Sequence, residues 1–180
     1  MVGVFLAEGF EEIEAISVID ILRRAEIEVI TVAVGDNILV NGAHNIKIKA
    51  DLMENSLEVS KLDAIVLPGG MPGTLNLEKS EIVKKCIMHC IDNNKYIGAI
   101  CAAPSILGHL RLLNGKRATC YPGFERDLGQ AEVCSDLVCV DGNIVTGKGP
   151  GAATEFALKV LELILGHENS HQVRMGLQCV

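Results

Sequence analysis

Short apolar runs alternate along this chain with longer stretches whose apolar positions recur at helical spacing. Such runs predict buried strands, and the amphipathic stretches predict helices that cover them. Strands are predicted at 2–7, 28–34, 62–67, 96–100, 116–120, 131–134, 137–140 and 143–146, with a hairpin at 38–40 and 46–48. Helices are predicted at 11–25, 80–93, 102–113 and 149–165, with one more short helix in the tail. This alternation indicates a doubly wound, mostly parallel α/β sheet, formed by 1–180 as one domain.

Composition narrows the class of partner. Of the 180 residues, 49% are hydrophobic and only 3% are aromatic, so the core is expected to be aliphatic. The formal charge of −7 offers no basic stripe and argues against nucleic acid. No segment approaches the roughly 20 apolar residues of a membrane span. The start lacks a basic n-region and favours a folded first strand over a signal peptide.

The chain has seven cysteines, an odd number. Without an export signal, this count predicts free thiols in a reducing compartment and therefore a cytoplasmic location. Cys86 and Cys90 lie four positions apart on a predicted helix, but no Cys-x-x-Cys or His-x-x-x-His pattern accompanies them. We interpret them as small buried residues and predict no metal site.

Candidate chemistry lies where strands end, since sites in open α/β sheets form at the carboxyl ends of strands. The segments 8–14, 67–73 and 98–104 combine a strand end with unusual residues. In the third, a strand runs into Cys101, then two alanines, then a helix. A sharp turn there would expose the thiol near a helix N-terminus, which favours the thiolate, and the Ala102 N–H would face a developing oxyanion. The alternative is that Cys101 is a small buried residue.

The other two segments allow two interpretations each. Gly69 and Gly70 are either turn residues or a place where substrate approaches the backbone, with the Gly70 N–H as a second oxyanion donor. Glu14 lies about one turn into the first helix. Like its neighbours Glu11 and Glu12, it is either a solvated residue that complements the helix dipole or a functional carboxyl group.

Four motifs occur together in a recognisable order. They are Glu-Glu-Ile-Glu at 11–14, Asp-Ala-Ile-Val-Leu-Pro-Gly-Gly at 63–70, Ala-Ile-Cys-Ala-Ala-Pro at 99–104, and Gly-Pro-Gly at 149–151 followed by Glu-Phe-Ala-Leu at 155–158. In this order the chain resembles the DJ-one/ThiJ/PfpI superfamily, specifically its DJ-one/ThiJ branch. The resemblance extends from the first strand to the last long helix.

The resemblance implies a flavodoxin-like, class I glutamine amidotransferase-like sandwich that forms a homodimer and needs no cofactor or metal. It implies that Cys101 is the nucleophile and that Glu14 is a protonated acid hydrogen-bonded to the ionised sulfur. A partly desolvated carboxyl group resists ionisation, so its proton is available to stabilise a thiolate. Gly70 and Ala102 match the backbone donors around the sulfur.

The sequence departs from the family pattern at two positions. Tyr121 stands where many active members have a His before a Pro, and tyrosine is a poor general base at neutral pH. Ala103 stands where relatives often have Gly. In addition, Ala102 differs from the His of the protease-like branch, which argues against peptidase activity. None of the five histidines matches a motif; His44 follows the hairpin turn, either near the site or merely exposed.

The resemblance implies an enzyme that acts on small dicarbonyls, either a glyoxalase III-type conversion of methylglyoxal to lactate or a protein deglycase. The alternative is an oxidative-stress sensor or chaperone in which Cys101 is oxidised to a sulfinate. A glutamine-amide hydrolase needs a His base with an acidic partner. Only His167 and His171 follow the last strand, and they lie in the tail. The pattern leaves open whether Cys120 pairs with Cys101 and whether Tyr121 serves as an auxiliary residue.

Overall fold

The structure is a computed structural model that describes residues 1–179. Its strands are β1 (Val2–Ala7), β2 (Val29–Val34), β3 (Leu39–Asn41), β4 (Lys47–Lys49), β5 (Leu52–Met53), β6 (Ala64–Leu67), β7 (Tyr96–Ile100), β8 (Arg117–Ala118), β9 (Glu132–Val133), β10 (Val138–Asp141) and β11 (Ile144–Gly147). Its α-helices are α1 (Glu12–Arg24), α2 (Gly73–Lys79), α3 (Glu81–Asp92), α4 (Pro104–His109), α5 (Ala153–Leu165) and α6 (His167–Gly176).

Seven strands form one sheet in the order β10-β11-β7-β6-β1-β2-β5. Every neighbouring pair is parallel except β10 and β11. β1 and β6 are buried along their whole length, as apolar strands covered on both faces should be. The predicted mostly parallel, flavodoxin-like sheet is therefore confirmed. Its strand order reverses between β1 and β6, which places a crevice at the carboxyl ends of these central strands.

Two helical layers cover the sheet. On one face α1 packs against α5, and Phe10 and Phe156 lie in the core there. On the other face α3 and α4 contribute Ile87 and Leu107. Both cores are mainly aliphatic, as the composition predicts.

The observed elements differ from the predicted ones at four places. The helix predicted over 102–113 contains only α4, because Arg111 adopts a left-handed conformation (φ 61°). The Arg111 and Leu112 N–H groups then bond to the carbonyls of Gly108 and Leu107, which is a Schellman ending. α2 and β5 were not predicted. The strands predicted at 116–120 and 131–134 shorten to β8 and β9, which pair with each other outside the main sheet.

Among the described residues, no helix is long and apolar enough to cross a bilayer.

Candidate active site

Cys101 occupies a sharp turn directly after β7. Its φ of 65° is in the left-handed region that side-chain-bearing residues avoid. Two hydrogen bonds hold this conformation: the Cys101 N–H donates to the Gly147 carbonyl (2.9 Å), and the Cys101 carbonyl accepts from the Tyr121 N–H (2.8 Å). The residue is 9% exposed. The backbone therefore adopts the strained elbow predicted from sequence, and part of the residue still reaches solvent.

Two backbone N–H groups point at the Cys101 sulfur. They belong to Ala102, the next residue, and to Gly70, in the turn after β6. Gly70 has a φ of +89°, and a Cβ there would lie 2.4 Å from the Gly9 carbonyl oxygen and 2.5 Å from the Glu11 nitrogen. Only glycine fits this position without a backbone shift. The structure thus brings both predicted donors to the sulfur.

Glu14 reaches the same sulfur from α1. The residue is fully buried, and its Oε2 accepts a hydrogen bond from the Gly69 N–H at 2.7 Å. The Cys101 side chain acts to lower the pKa of Glu14, and the charge of Glu14 acts to raise the pKa of Cys101, so the two groups lie close together. Oε1 has no hydrogen-bond partner among the described residues. A solvated, merely helix-stabilising role for Glu14 is wrong.

Gly69 is the contact point between these groups. A Cβ at this position would lie 2.6 Å from the Cys101 Cβ and 2.8 Å from the Glu14 Oε2. Its missing side chain therefore allows the acid and the thiol to meet. The sequence predicts Gly69 to be either a turn residue or a place where substrate approaches the backbone, and its N–H bond to Glu14 was not predicted.

Burial governs the protonation of the pair. It raises the pKa of Glu14 from 4.5 to about 7, against the lowering effect of the Gly69 N–H and the Cys101 side chain. Burial is also the main cause that raises the pKa of Cys101 to about 12, and the negative charge of Glu14 is the second. The Ala102 and Gly70 N–H groups lower this pKa. When Glu14 holds a proton, its charge no longer opposes the thiolate. Ionisation of Cys101 therefore depends on the state of Glu14, more than on the short helix α4.

Two further carboxyl groups support the start of α1. Glu11 is the N-cap, and its Oε2 accepts from the Glu14 N–H at 2.8 Å. Glu12 bonds the His44 Nδ1 (2.8 Å) and the His44 backbone N–H (2.7 Å). Both glutamates are buried, at 6% and 4% exposure. Glu11 thus fixes the backbone that carries Glu14, and His44 ties the β3–β4 hairpin to the same helix end.

The Glu12–His44 pair shifts both groups toward their charged forms. Burial works to raise the pKa of Glu12, but the hydrogen bonds from the His44 side chain and backbone outweigh it and lower that pKa. The pKa of His44 is raised, first by its bond to Glu12 and then by the charge of Glu12. Ligand atoms of Glu11, Glu12 and His44 lie within 4.8 Å of one another, close enough in principle to hold a cation. Glu12 and His44 already satisfy each other there.

Tyr121 lies beside the elbow, and its exposed ring packs near Gly149. It lines a largely apolar cavity of about 290 Å³ together with Pro122, Leu137, Lys148 and residues 149–152. The Tyr121 N–H bonds Cys101, so the cavity adjoins the thiol turn. The structure therefore places the predicted auxiliary residue at the site through its backbone and its ring.

Sequence reasoning found the residues that contact the sulfur and missed those that hold them. Glu11 and Glu12 looked like solvated residues, although both are buried. The sequence carried one signal that Glu12 is covered, the hairpin turn at Asn41-Gly42. A Cβ on Gly42 would lie 2.3 Å from the Glu12 Oε1. That glycine allows the turn to close over Glu12.

Comparison with known proteins agrees with this geometry. The model of the DJ-1/PfpI family matches residues 1–163. The chain is 37% identical over 169 residues to protein DJ-1 homolog B of Arabidopsis thaliana, covering 93% of this chain but only 39% of that relative. It is 31% identical over 171 residues to the glutathione-independent glyoxalase DJR-1.2 of Caenorhabditis elegans, covering 92% and 89% of the two chains.

A solved structure shows the same fold. Oxidised Toxoplasma gondii DJ-1 superposes with a TM-score of 0.94 at 36% identity, covering 98% of this chain and 97% of that one. On its motifs, its fold and these similarities, the chain belongs to the DJ-1/PfpI family.

Proposed function

We propose that the chain is a cofactor-independent cysteine enzyme that acts on small reactive dicarbonyls. The reaction is the conversion of methylglyoxal to lactate, or the removal of the same dicarbonyl group from glycated proteins. One observation carries the proposal: a fully buried carboxyl group, Glu14, whose pKa burial raises to about 7, lies against a thiol in a strained elbow. A group with this pKa can donate and accept protons at neutral pH.

The first step is addition of the Cys101 thiolate to the aldehyde carbon, which forms a hemithioacetal. The charge that develops on oxygen is stabilised by the Gly70 and Ala102 N–H groups. Glu14 gives its proton to this oxygen and becomes a carboxylate. The carboxylate then removes the proton from the former aldehyde carbon and returns it to the neighbouring carbon, while the hydroxyl proton passes from the former aldehyde oxygen to the former ketone oxygen. The product is a thioester on Cys101, and water hydrolyses it to the hydroxy acid and the free thiol.

Accessibility supports a small substrate. Only 9% of Cys101 is exposed, so a compact electrophile reaches the sulfur more easily than a folded protein side chain does. The similarity to the C. elegans protein named glutathione-independent glyoxalase points the same way. Methylglyoxal is therefore the substrate to test first.

The test is hydroxy-acid formation from methylglyoxal without glutathione or metal. Wild type should turn over, Cys101→Ala should abolish the activity, and Glu14→Gln should lower it about a hundredfold. Cys179→Ala is the control, because its half-buried thiol lies in the C-terminal tail. Equal rates in wild type and Cys101→Ala would contradict the proposal.

A second candidate is an oxidative-stress sensor, with or without chaperone activity, in which Cys101 is oxidised to a sulfinate. Tyr121 supports it, because a tyrosine replaces the histidine base of many active members at this position. The same donors that stabilise an oxyanion would stabilise sulfinate oxygens. Mild peroxide should then add two oxygens at Cys101. Oxidation scattered over the other six thiols would contradict the sensor.

We also propose that the chain is a homodimer in a reducing, cytoplasmic compartment. The dimer is supported by exposed isoleucines around the site: Ile13 and Ile16 on α1, and Ile46, whose N–H contacts Glu12. The location is supported by the free thiols of all seven cysteines. Light scattering should give twice the chain mass for wild type and the monomer mass for Ile13→Glu. A wild-type monomer would contradict the dimer.

A further inference from the structure

Two cysteines outside the candidate active site lie close together. Cys134 directly follows β9 and is half-buried, whereas Cys139 lies within β10 and is buried. Only residues 135–138 separate them in sequence. Cys139 pairs with Thr146 across β10 and β11, so the two side chains lie on the same face of the sheet. Burial is the first cause, and Cys134 the second, that raises the pKa of Cys139 to about 12. The chain therefore carries a close thiol pair to which the proposed dicarbonyl chemistry gives no role.

The backbone holds both cysteines against the same short segment. The Cys134 N–H donates to the Ala118 carbonyl at 2.9 Å. The Cys139 carbonyl contacts the Thr146 hydroxyl, which in turn accepts from the Thr119 N–H at 2.9 Å. Both cysteines are thus anchored to consecutive residues, 118 and 119. This arrangement keeps the two thiols close together in the folded chain.

A positive charge lies beside the pair. The pKa of Arg117 is raised first by Cys139 and then by Cys134, so its guanidinium is close to both sulfurs. Arg117 is held there by a hydrogen bond to Asp136 at 3.1 Å, within the turn between the cysteines. The charge of Arg117 acts to lower the pKa of Cys139, against burial and the neighbouring Cys134, which raise it to about 12. Because Cys139 is buried, the more accessible Cys134 is the thiol that an oxidant meets first.

We propose that Cys134 and Cys139 are a redox site that forms a reversible disulfide when a hydroperoxide oxidises the protein. The Cys134 thiolate attacks the peroxide, takes up one oxygen as a sulfenic acid and releases an alcohol or water. The Cys139 thiol then displaces that oxygen as water, and the S–S bond forms. Two thiols lose two hydrogens, and the hydroperoxide is reduced. A small thiol restores both cysteines by exchange.

The pair Cys86 and Cys90 provides an internal comparison. These cysteines also lie near each other, one turn apart on α3, but both are fully buried. No arginine influences them; the nearest cations are lysines. We expect them to stay reduced under the conditions that oxidise Cys134 and Cys139.

The test is peptide mapping after mild hydrogen peroxide, with remaining thiols blocked by N-ethylmaleimide. Asp136 lies between the two cysteines, so cleavage before aspartate separates them unless a disulfide joins the fragments. Wild type should give the joined fragments with two hydrogens lost, and dithiothreitol should separate them. Cys101→Ala should give the same yield, which keeps this result independent of the proposed enzyme.

Matched variants decide the outcome. Cys134→Ser and Cys139→Ala should each eliminate the joined fragments; Cys134 is only half-buried, so its variant is expected to fold. Arg117→Gln should slow cross-linking about fivefold, whereas the exposed Arg126→Gln should not. The proposal is overturned if both cysteines remain open to N-ethylmaleimide at peroxide levels that oxidise Cys101. It is equally overturned if each accumulates as a separate sulfinate.

Discussion

Cys101 and the cysteines of α3 are all buried, at 9% exposure for Cys101 and 0% for Cys86 and Cys90, yet they have different surroundings. Burial raises the pKa of Cys86 to about 11 and that of Cys90 to about 12, and it raises the pKa of Cys101 to about 12 as well. The α3 thiols pack in an aliphatic cluster. Cys101 instead has a left-handed backbone, two N–H donors and the Glu14 carboxyl group.

The difference shows that burial alone does not distinguish a reactive cysteine from a structural one. What distinguishes Cys101 is a set of groups that are arranged for a charged sulfur before any reaction occurs. Preorganised donors of this kind stabilise developing charge without a reorganisation cost. Each prediction tests whether these groups make Cys101 different from Cys86 and Cys90.

The largest effect is expected in thiol alkylation of the native protein. Iodoacetamide should modify Cys101 at least about a hundred times faster than Cys86 or Cys90, because those residues react only after local unfolding. Peptide mapping over time measures the ratio. Equal protection of all three cysteines would show that the elbow has no special reactivity.

Glu14→Gln should lower dicarbonyl turnover about a hundredfold, because the amide has no acid–base function. Wild-type activity should change with an apparent pKa near the value of about 7 that burial gives Glu14. The residual activity of the variant should lack that transition. An unchanged pH–rate profile in the variant would remove Glu14 from the mechanism.

Glu14 should also make stability depend on pH. Its folded-state pKa, about 7, lies above the ordinary value of 4.5, so the folded chain binds the extra proton. The free energy of unfolding should therefore fall by about 3 kcal/mol as the pH rises through this window. Urea unfolding of wild type and Glu14→Gln isolates the effect, because other titrating groups cancel. A difference that does not vary with pH would contradict the raised pKa.

Gly70→Ala should destabilise the fold by at least about 2 kcal/mol, since an added Cβ meets backbone atoms and the φ of +89° is strained for alanine. Gly151→Ala is the matched control, because nothing lies within 4 Å of the added carbon. It should change stability by less than about 0.5 kcal/mol. Thermal unfolding measures both. Equal effects would mean that the Gly70 turn is not tightly constrained.

The smallest effect is expected from His44→Gln, since the imidazole is largely exposed. The raised pKa of His44 means that its pair with Glu12 stabilises the fold below about pH 6.5 and loses this contribution as pH rises through the folded-state value. The melting-temperature difference from wild type should shrink accordingly.

Much of the fold was predictable because its central strands are short apolar runs. β1, β6 and β7 lie within two residues of their predicted ends. The errors arise where tertiary packing decides. α2 begins at Gly73, where no helix was predicted, and α4 ends early because Arg111 adopts a left-handed conformation. Neither outcome follows from hydrophobic periodicity.

In the candidate site, too, local patterns predicted some residues and tertiary packing decided the others. The strand end marked Cys101 and Ala102, and the motifs indicated Glu14 and Gly70. The support around them was not predicted: Glu11 caps α1 although glutamate is not a preferred N-cap residue, and the Glu12–His44 contact joins the helix to a distant hairpin. Such contacts depend on chain topology, which local patterns do not specify.

The most direct test of the central claim is the intact mass of the protein quenched with acid during methylglyoxal turnover. The account predicts a lactoyl thioester on Cys101, located by peptide mapping, which disappears as substrate is used up. The adduct should be absent from Cys101→Ala and from Glu14→Gln, since the proton transfer that forms the thioester needs the carboxylate. Steady lactate production with no adduct on Cys101, or with full activity in Cys101→Ala, would contradict the account.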